Sequence, residues 1–226
     1  MNSFRQEELL RLMQLSSPML PVGAYAYSQG LEYAVESGWV TDEKSTINWV
    51  LGLLNNAHAN LDVPVLARLH LGWKNGDSDL VCYWNDYLFA SRETSEMQAE
   101  ERQLAQALCR LLYDLGITVA NDWMQYPRRT FLLPFSIGAS HWRIPLEDTI
   151  SGYLWAWSEN QVLAAIKLVP LGQTAGQRIL SKMIKEIPKV SKAGLSLKDD
   201  EVGFSAVGQG IASALHETQY SRLFRS

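Results

Sequence analysis

Residues 41–58 read TDEKSTINWVLGLLNNAH, and their spacing decides the fold class. Ile47, Val50, Leu51, Leu54 and His58 stand at offsets 0, 3, 4, 7 and 11, which is one face of a helix. Thr41 opens this helix. Asp42 and Glu43 fall in its first turn, where carboxylates answer the positive end of the helix dipole.

The same period extends in both directions. Upstream, Leu9, Leu10, Leu12, Met13 and Leu15 fit a short first helix, and Ser28 can cap a second that runs to Ser37 and ends at Gly38. Downstream, Pro64 suits a first helical position, Val65, Leu66 and Leu69 follow, and Asn75-Gly76 stops the helix. Leu80, Tyr83, Trp84, Tyr87 and Leu88 make the next apolar stripe. Met97, Leu104, Leu108, Leu111, Leu112 and Leu115 make another, ended by Gly116. The stretch 117–145 carries Pro127, Pro134 and Pro145 and no clear period; Phe131 to Ile137 is apolar but too short to tell a buried helix or turn from a strand. Pro145 starts a helix with Glu147 and Asp148 near its positive end, an inner face of Ile150, Tyr153, Leu154 and Trp157, and a stop at Pro170. Thr174 and Gln177 have capping-box spacing for a helix to about Ile187. Ala193 to Glu201 reads as a polar loop, and Phe204 to Leu215 as the last helix. No repeat or linker divides the chain. The expectation is an all-α, single-domain bundle of about eight to ten helices over residues 1–226.

A chain of 226 residues with 47% hydrophobic content suits one core, and a net charge of -4 argues against a non-specific nucleic-acid binder. Cys82 and Cys109 show no metal-site spacing and read as two buried free thiols. MNSFRQEELLRLMQL is interrupted by acidic residues and lacks a signal-peptide pattern, and no apolar run approaches the ~20 residues that span a bilayer, so a cytoplasmic protein without membrane contact is expected.

Tests for chemistry find no catalytic set. His58, His70, His141 and His216 have no second ligand at metal-binding spacing, and His58 and His70 read as packed histidines. Leu171–Gln177 lacks the Lys-Ser/Thr of a P-loop, Gly208-Gln209-Gly210 lacks a preceding strand, and no serine has a nucleophile-elbow context. Glu93, Glu96 and Glu100 share one helix face beside Arg92, Glu101 and Arg102, and read as a solvated charged face. Eight Trp and nine Tyr raise the idea of an enzyme pocket, but core packing explains them better. Arg178, Lys182, Lys185 and Lys189 form a basic stripe, either a solvated face or a dock for an acidic protein, with Leu180, Met183, Ile184 and Ile187 left for burial.

Several blocks resemble the UreF family of urease accessory proteins. They are Ser17-Pro18-Met19-Leu20-Pro21-Val22-Gly23, Tyr27-Ser28-Gln29-Gly30-Leu31-Glu32, Ser91-Arg92-Glu93-Thr94, Pro170-Leu171-Gly172-Gln173 with Gly176-Gln177, and HETQYSRLFRS at 216–226. Gln98 stands where the family pattern has Arg, and 117–145 carries no family motif. The resemblance implies an all-α homodimer with no catalytic residue, cofactor or metal of its own. It implies binding to UreD (UreH in some organisms), to the GTPase UreG and to the urease apoprotein during GTP-dependent nickel insertion. The partner-binding residues it marks are Tyr27, Ser28, Gln29, Pro170, Leu171, Gly172, Gln173, Gln177, His216, Glu217, Tyr220, Arg222, Leu223, Phe224 and Arg225. The alternative is a GTPase-activating protein for UreG acting through an arginine, with Arg92, Arg178, Arg222 and Arg225 as candidates.

Residues 216–226 are read as a C-terminal docking tail. Tyr220, Leu223 and Phe224 at offsets 0, 3 and 4 would share one side of a helical turn, with Arg222 and Arg225 on an adjacent face. Eleven residues cannot hold a lone helix, so the tail is expected to be ordered by its partner, and deletion of 217–226 to leave the fold nearly intact.

Overall fold

The computed structural model describes residues 3–203 and 205–226. Among them it has eleven α-helical segments and no strand, the all-α architecture expected. In chain order they are α1 (Ser3–Leu15), α2 (Leu31–Glu36), α3 (Glu43–Leu53), α4 (Val63–Asn75), α5 (Ser78–Ala90), α6 (Ser95–Asp114), α7 (Ala120–Trp123), α8 (Leu132–His141), α9 (Leu146–Leu168), α10 (Gln173–Leu195) and α11 (Val207–His216).

The stretch that opened the reading is the central rod. Asp42, not Thr41, is its N-cap: its carboxylate accepts from Ser45 N at 2.7 Å, and the Ser45 hydroxyl oxygen accepts from Asp42 N at 3.0 Å. Ile47, Val50, Leu54 and His58 are buried on one face as the spacing requires. The rod does not stop at Pro64. A π-helical stretch, Leu54–Asp62, joins α3 to α4 without a break. Asparagine side chains satisfy carbonyls along it: Asn55 donates to Leu51 O at 3.0 Å, Asn56 to Gly52 O at 2.7 Å and Asn60 to Asn56 O at 2.7 Å. Pro64 has no N–H to offer Asn60 O, four residues back, and that oxygen accepts instead from Gly203 N at 2.9 Å.

Around the rod lie α5 and α8 against α4, and α9 with α10 as an antiparallel pair along its other side. In α8 every residue from Leu132 to Ala139 is buried, which resolves Phe131–Ile137 as a helix that is apolar all round because it is enclosed all round. The helix expected to end at Ile187 continues through Pro188 to Leu195, and the loop expected from Ala193 begins later. An interior proline costs about 3 kcal/mol. Burial of Val190, Ser191 and Gly194 against the rod offsets it; a Cβ at Gly194 would stand only 2.5 Å from Val63 Cγ1. Thr174 lies inside α10 and forms no capping box, because Gly172 is the N-cap and offers no side chain. Ile184 is 55% exposed, and Ile179 takes the buried place expected for it. The last helix begins at Val207; Phe204, its expected start, lies outside the described residues. Cys109 is buried as expected, whereas Cys82 is only partly so, and both are free. No helix among the described residues is long and apolar enough to cross a membrane.

Candidate functional site

The motif segments Tyr27–Gln29, Pro170–Leu171 and 216–226 converge on one side of the molecule, and the contact is intramolecular. Ser226 O accepts three hydrogen bonds: from Ser28 N at 2.7 Å, Gln29 N at 3.1 Å and Ser28 Oγ at 2.6 Å. Ser28 does not cap its helix from the N-cap position, which Gly30 fills, but its Oγ still accepts from Glu32 N at 3.2 Å. Gly30 has a φ of 83°, and a Cβ there would stand 3.1 Å from Ser213 N of α11, so this close approach needs glycine.

Glu32 then gathers the tail. Its carboxylate accepts Leu223 N at 2.6 Å and Phe224 N at 2.8 Å, and lies 3.2 Å from His216 Nε2. The other ring nitrogen of His216 lies 2.8 Å from Glu96, which also takes Arg222 Nη1 at 2.7 Å. Glu217 accepts from Ser95 Oγ at 2.6 Å and Glu96 N at 3.2 Å, at the start of α6. Phe224 is buried among Leu31, Ala34, Val40, Ala164, Ala165 and Val169, with Leu171 packed against the group. Lys167 Nζ stands 5.6 Å from the Phe224 ring centroid.

This corrects the expectation for the tail. Residues 217–226 are not helical, and they pack against their own domain. Phe224 points in while Tyr220 is fully exposed and Leu223 is 66% exposed, so the three do not share one side. Tyr27, Ser28 and His216 are buried and hold the chain together. Among the marked residues the surface positions are Pro170, Gly172, Gln173, Gln177, Glu217, Tyr220, Arg222, Leu223 and Arg225, with Gln29 and Leu171 half-buried. The basic stripe is exposed as expected, with Arg178 bonded to Glu43 and Lys189 to Glu186 at 2.7 Å.

Behind the tail lies a cavity of about 180 Å³ with a charged floor. Arg92 joins Asp62 and Glu101, each at 2.6 Å. Glu101 also accepts Phe131 N at 2.6 Å, and Tyr153 Oη donates to Asp62 at 2.9 Å. Burial pushes the Asp62 carboxyl up, but Arg92, His58 and Tyr153 together more than offset it and the net shift is down. Burial likewise opposes the Arg92 charge, and Asp62 and Glu101 hold it well above its ordinary value. His58 packs on Trp157 with centroids 4.2 Å apart; burial pulls its imidazole down to about 4, against the pull of Asp62. Glu100 accepts from Gln29 Nε2 at 2.7 Å and Ser226 Oγ at 2.9 Å, and burial raises its carboxyl to about 7. Trp157 Nε1 donates to Gln29 Oε1 at 2.7 Å, so Gln29 ties the cavity to the tail.

The charged face expected to be solvated is therefore largely internal: Glu100 and Glu101 are buried and Glu96 faces the tail. Sequence spacing placed these carboxylates together but not the direction they face. His58 and Asp62, four apart among apolar residues, were the available signal for the floor. Gln98, the departure from the family pattern, donates to Arg92 O at 3.1 Å and so supports the same loop. Among the described residues no three His, Cys, Asp or Glu side chains gather as metal ligands.

Glu100 and His58 give stability opposite pH dependences. The folded value for Glu100, about 7, stands above the ordinary 4.5. Below pH 4.5 it is protonated folded or unfolded and contributes nothing. From there to about 7 only the unfolded chain releases the proton, so stability falls as pH rises, by on the order of 3 kcal/mol in all. For His58, with a folded value of about 4 against 6.5, stability is lost as pH falls through that window, and the two trends largely cancel where they overlap. Glu100→Gln removes one of them. Its stability relative to wild type, from urea unfolding at each pH, should climb by that same amount between pH 4.5 and 7. A constant difference would show that Glu100 titrates normally.

The UreF family model matches residues 40–184. The urease accessory protein UreF of Alkalilimnicola ehrlichii is 51% identical over 216 residues, covering 96% of this chain and 95% of that one. Urease accessory protein UreF 2 of Brucella anthropi is 46% identical, covering 96% of each chain. The UreF of Teredinibacter turnerae is 46% identical, covering 97% of this chain and 99% of its own.

Proposed function

The chain belongs to the UreF family of urease accessory proteins, and from that premise we propose that it is a non-enzymatic urease maturation factor. It acts in the cytoplasm as a homodimer that bridges UreD, the GTPase UreG and the urease apoprotein while nickel, the cargo, is inserted at the expense of GTP. The observation that carries this reading is the convergence of three motif segments on one face. There the buried residues Ser28, Glu32 and His216 hold Tyr220 and Leu223 out to solvent. Exposed Tyr and apolar groups fixed on a rigid base suit a docking surface, with UreD as the partner of the tail. The arginine-finger alternative loses one candidate, since Arg92 is committed to Asp62 and Glu101 beneath the surface.

Reconstitution tests the role. Urease apoprotein, nickel, GTP, UreD and UreG are combined with and without this chain. Activation should require it, and equal activation without it would end the proposal.

Two variants probe the surfaces. Gln173 is exposed at the start of α10 and has no side-chain hydrogen bond among the described residues, so Gln173→Ala should cut urease activation severalfold with a melting temperature within about a degree of wild type. Equal loss of both would make the segment structural only. On the basic stripe, Lys182→Glu with Lys185→Glu should slow association with an acidic partner about tenfold, and added salt should weaken the wild-type contact. Unchanged kinetics would leave a solvated face.

A further inference from the structure

We propose that the cavity beside Glu100 is a socket for the guanidinium of an arginine presented by a partner protein of the urease assembly. The inference rests on the assembly role proposed above and adds the contact through which it is made.

Charge is the first argument. The floor carries Asp62, Glu100 and Glu101, and its arginine, Arg92, is already committed to Asp62 and Glu101 at 2.6 Å each. Among the described residues no basic side chain lies within ion-pair distance of Glu100, whose oxygens take only the neutral donors Gln29 and Ser226. A buried carboxylate without a cation is costly, and burial has raised Glu100 to about 7.

The second argument is independent of charge. Ser16 is 8% exposed on the wall of the same cavity, and among the described residues its hydroxyl has no hydrogen-bond partner. Buried hydroxyls are nearly always bonded, so the polar wall of this cavity is incompletely satisfied.

Size and shape point to a side chain of a protein. The cavity, about 180 Å³, has room for one long side chain. The rings of Tyr153 and Trp157 line it, and arginine stacks on aromatic faces where lysine does not. Its exposed lining residues are Pro18, Tyr25 and Leu163, with Glu93 beside them. A mainly apolar frame around a charged floor is the arrangement of an interface hot spot, and arginine is prominent among hot-spot residues. A free amine has no groups to cover that frame.

The socket also couples to the tail. A guanidinium at Glu100 favours its ionised form, which is a stronger acceptor for Ser226 Oγ and Gln29 Nε2. Seating the arginine therefore tightens the tail, and a seated tail favours the arginine.

The test has two arms. In the first, the carboxyl carbon of Glu100 is followed by NMR in the isolated protein. Methylguanidinium chloride should shift it and tetramethylammonium at the same ionic strength should not. No shift, or a shift produced by nickel(II) chloride alone, overturns the proposal. In the second, purified UreD, UreG and urease apoprotein are each titrated against wild type, Glu100→Gln and Glu100→Lys, with circular dichroism confirming the fold. One of them should lose at least tenfold in affinity for both variants. Retention of wild-type affinity by the lysine variant for every partner that binds wild type overturns the proposal. Should none of the three bind wild type, the assembly role itself fails, and the NMR arm, which needs no partner, still decides the socket.

Discussion

Deletion of residues 217–226 should lower the melting temperature by roughly 6–20 °C. Loss of a buried Phe costs about 3–5 kcal/mol. In a protein of 150–250 residues each kcal/mol is worth roughly 2–4 °C. Phe224 is that side chain, 6% exposed in the cluster of Leu31, Val40 and Val169. The deletion also strips Glu32 of two N–H donors and leaves His216 beneath an uncovered surface. Tyr220→Ala and Leu223→Ala should instead leave stability within about half a kcal/mol, since both side chains are exposed. In the docking reading those two changes weaken capture of UreD all the same. Calorimetry on the three variants separates the roles. A truncated chain melting within a degree or two of wild type would show that the tail is not anchored.

Arg92→Ala should be about as severe. Asp62 is fully buried and Glu101 nearly so, and Arg92 is the cation that each touches at 2.6 Å. Removing one partner of a buried ion cluster costs about 3–5 kcal/mol, because the remaining charges stay desolvated. Arg92→Lys keeps the charge but loses the planar fork that reaches both carboxylates, so an intermediate loss is expected. Asp62→Asn in the Arg92→Ala background should recover part of the stability, because it removes one of the two orphaned charges. Urea unfolding of the single and double variants measures that coupling. Strict additivity, or an Arg92→Ala protein as stable as wild type, would show that the cluster is hydrated rather than buried.

The all-α class, most helix centres and the glycine stops at Gly76 and Gly116 were legible from the sequence, because they follow from local period and local backbone preference. Family membership was legible too, from motif blocks spread across the chain. What misread was settled between elements distant in sequence. The rod passes Pro64 because Gly203 supplies a hydrogen bond to Asn60 O from more than a hundred residues away. The second half of α10 survives Pro188 because its inner face is buried on the rod.

The tail shows the division most clearly. By itself the sequence marked HETQYSRLFRS as unable to stand alone, since a segment so short cannot bury its own Phe or sustain a helix. Which surface would hold it was a tertiary matter. Glu32, Glu96 and Glu100 carry no mark of their orientation in the sequence; in the fold they turn toward the tail and take up His216, Arg222 and Ser226. Periodicity tells which residues share a face of a helix. Only packing tells whether that face meets water or another part of the chain, because the free energy of a carboxylate depends on what surrounds it and not on its place in the sequence.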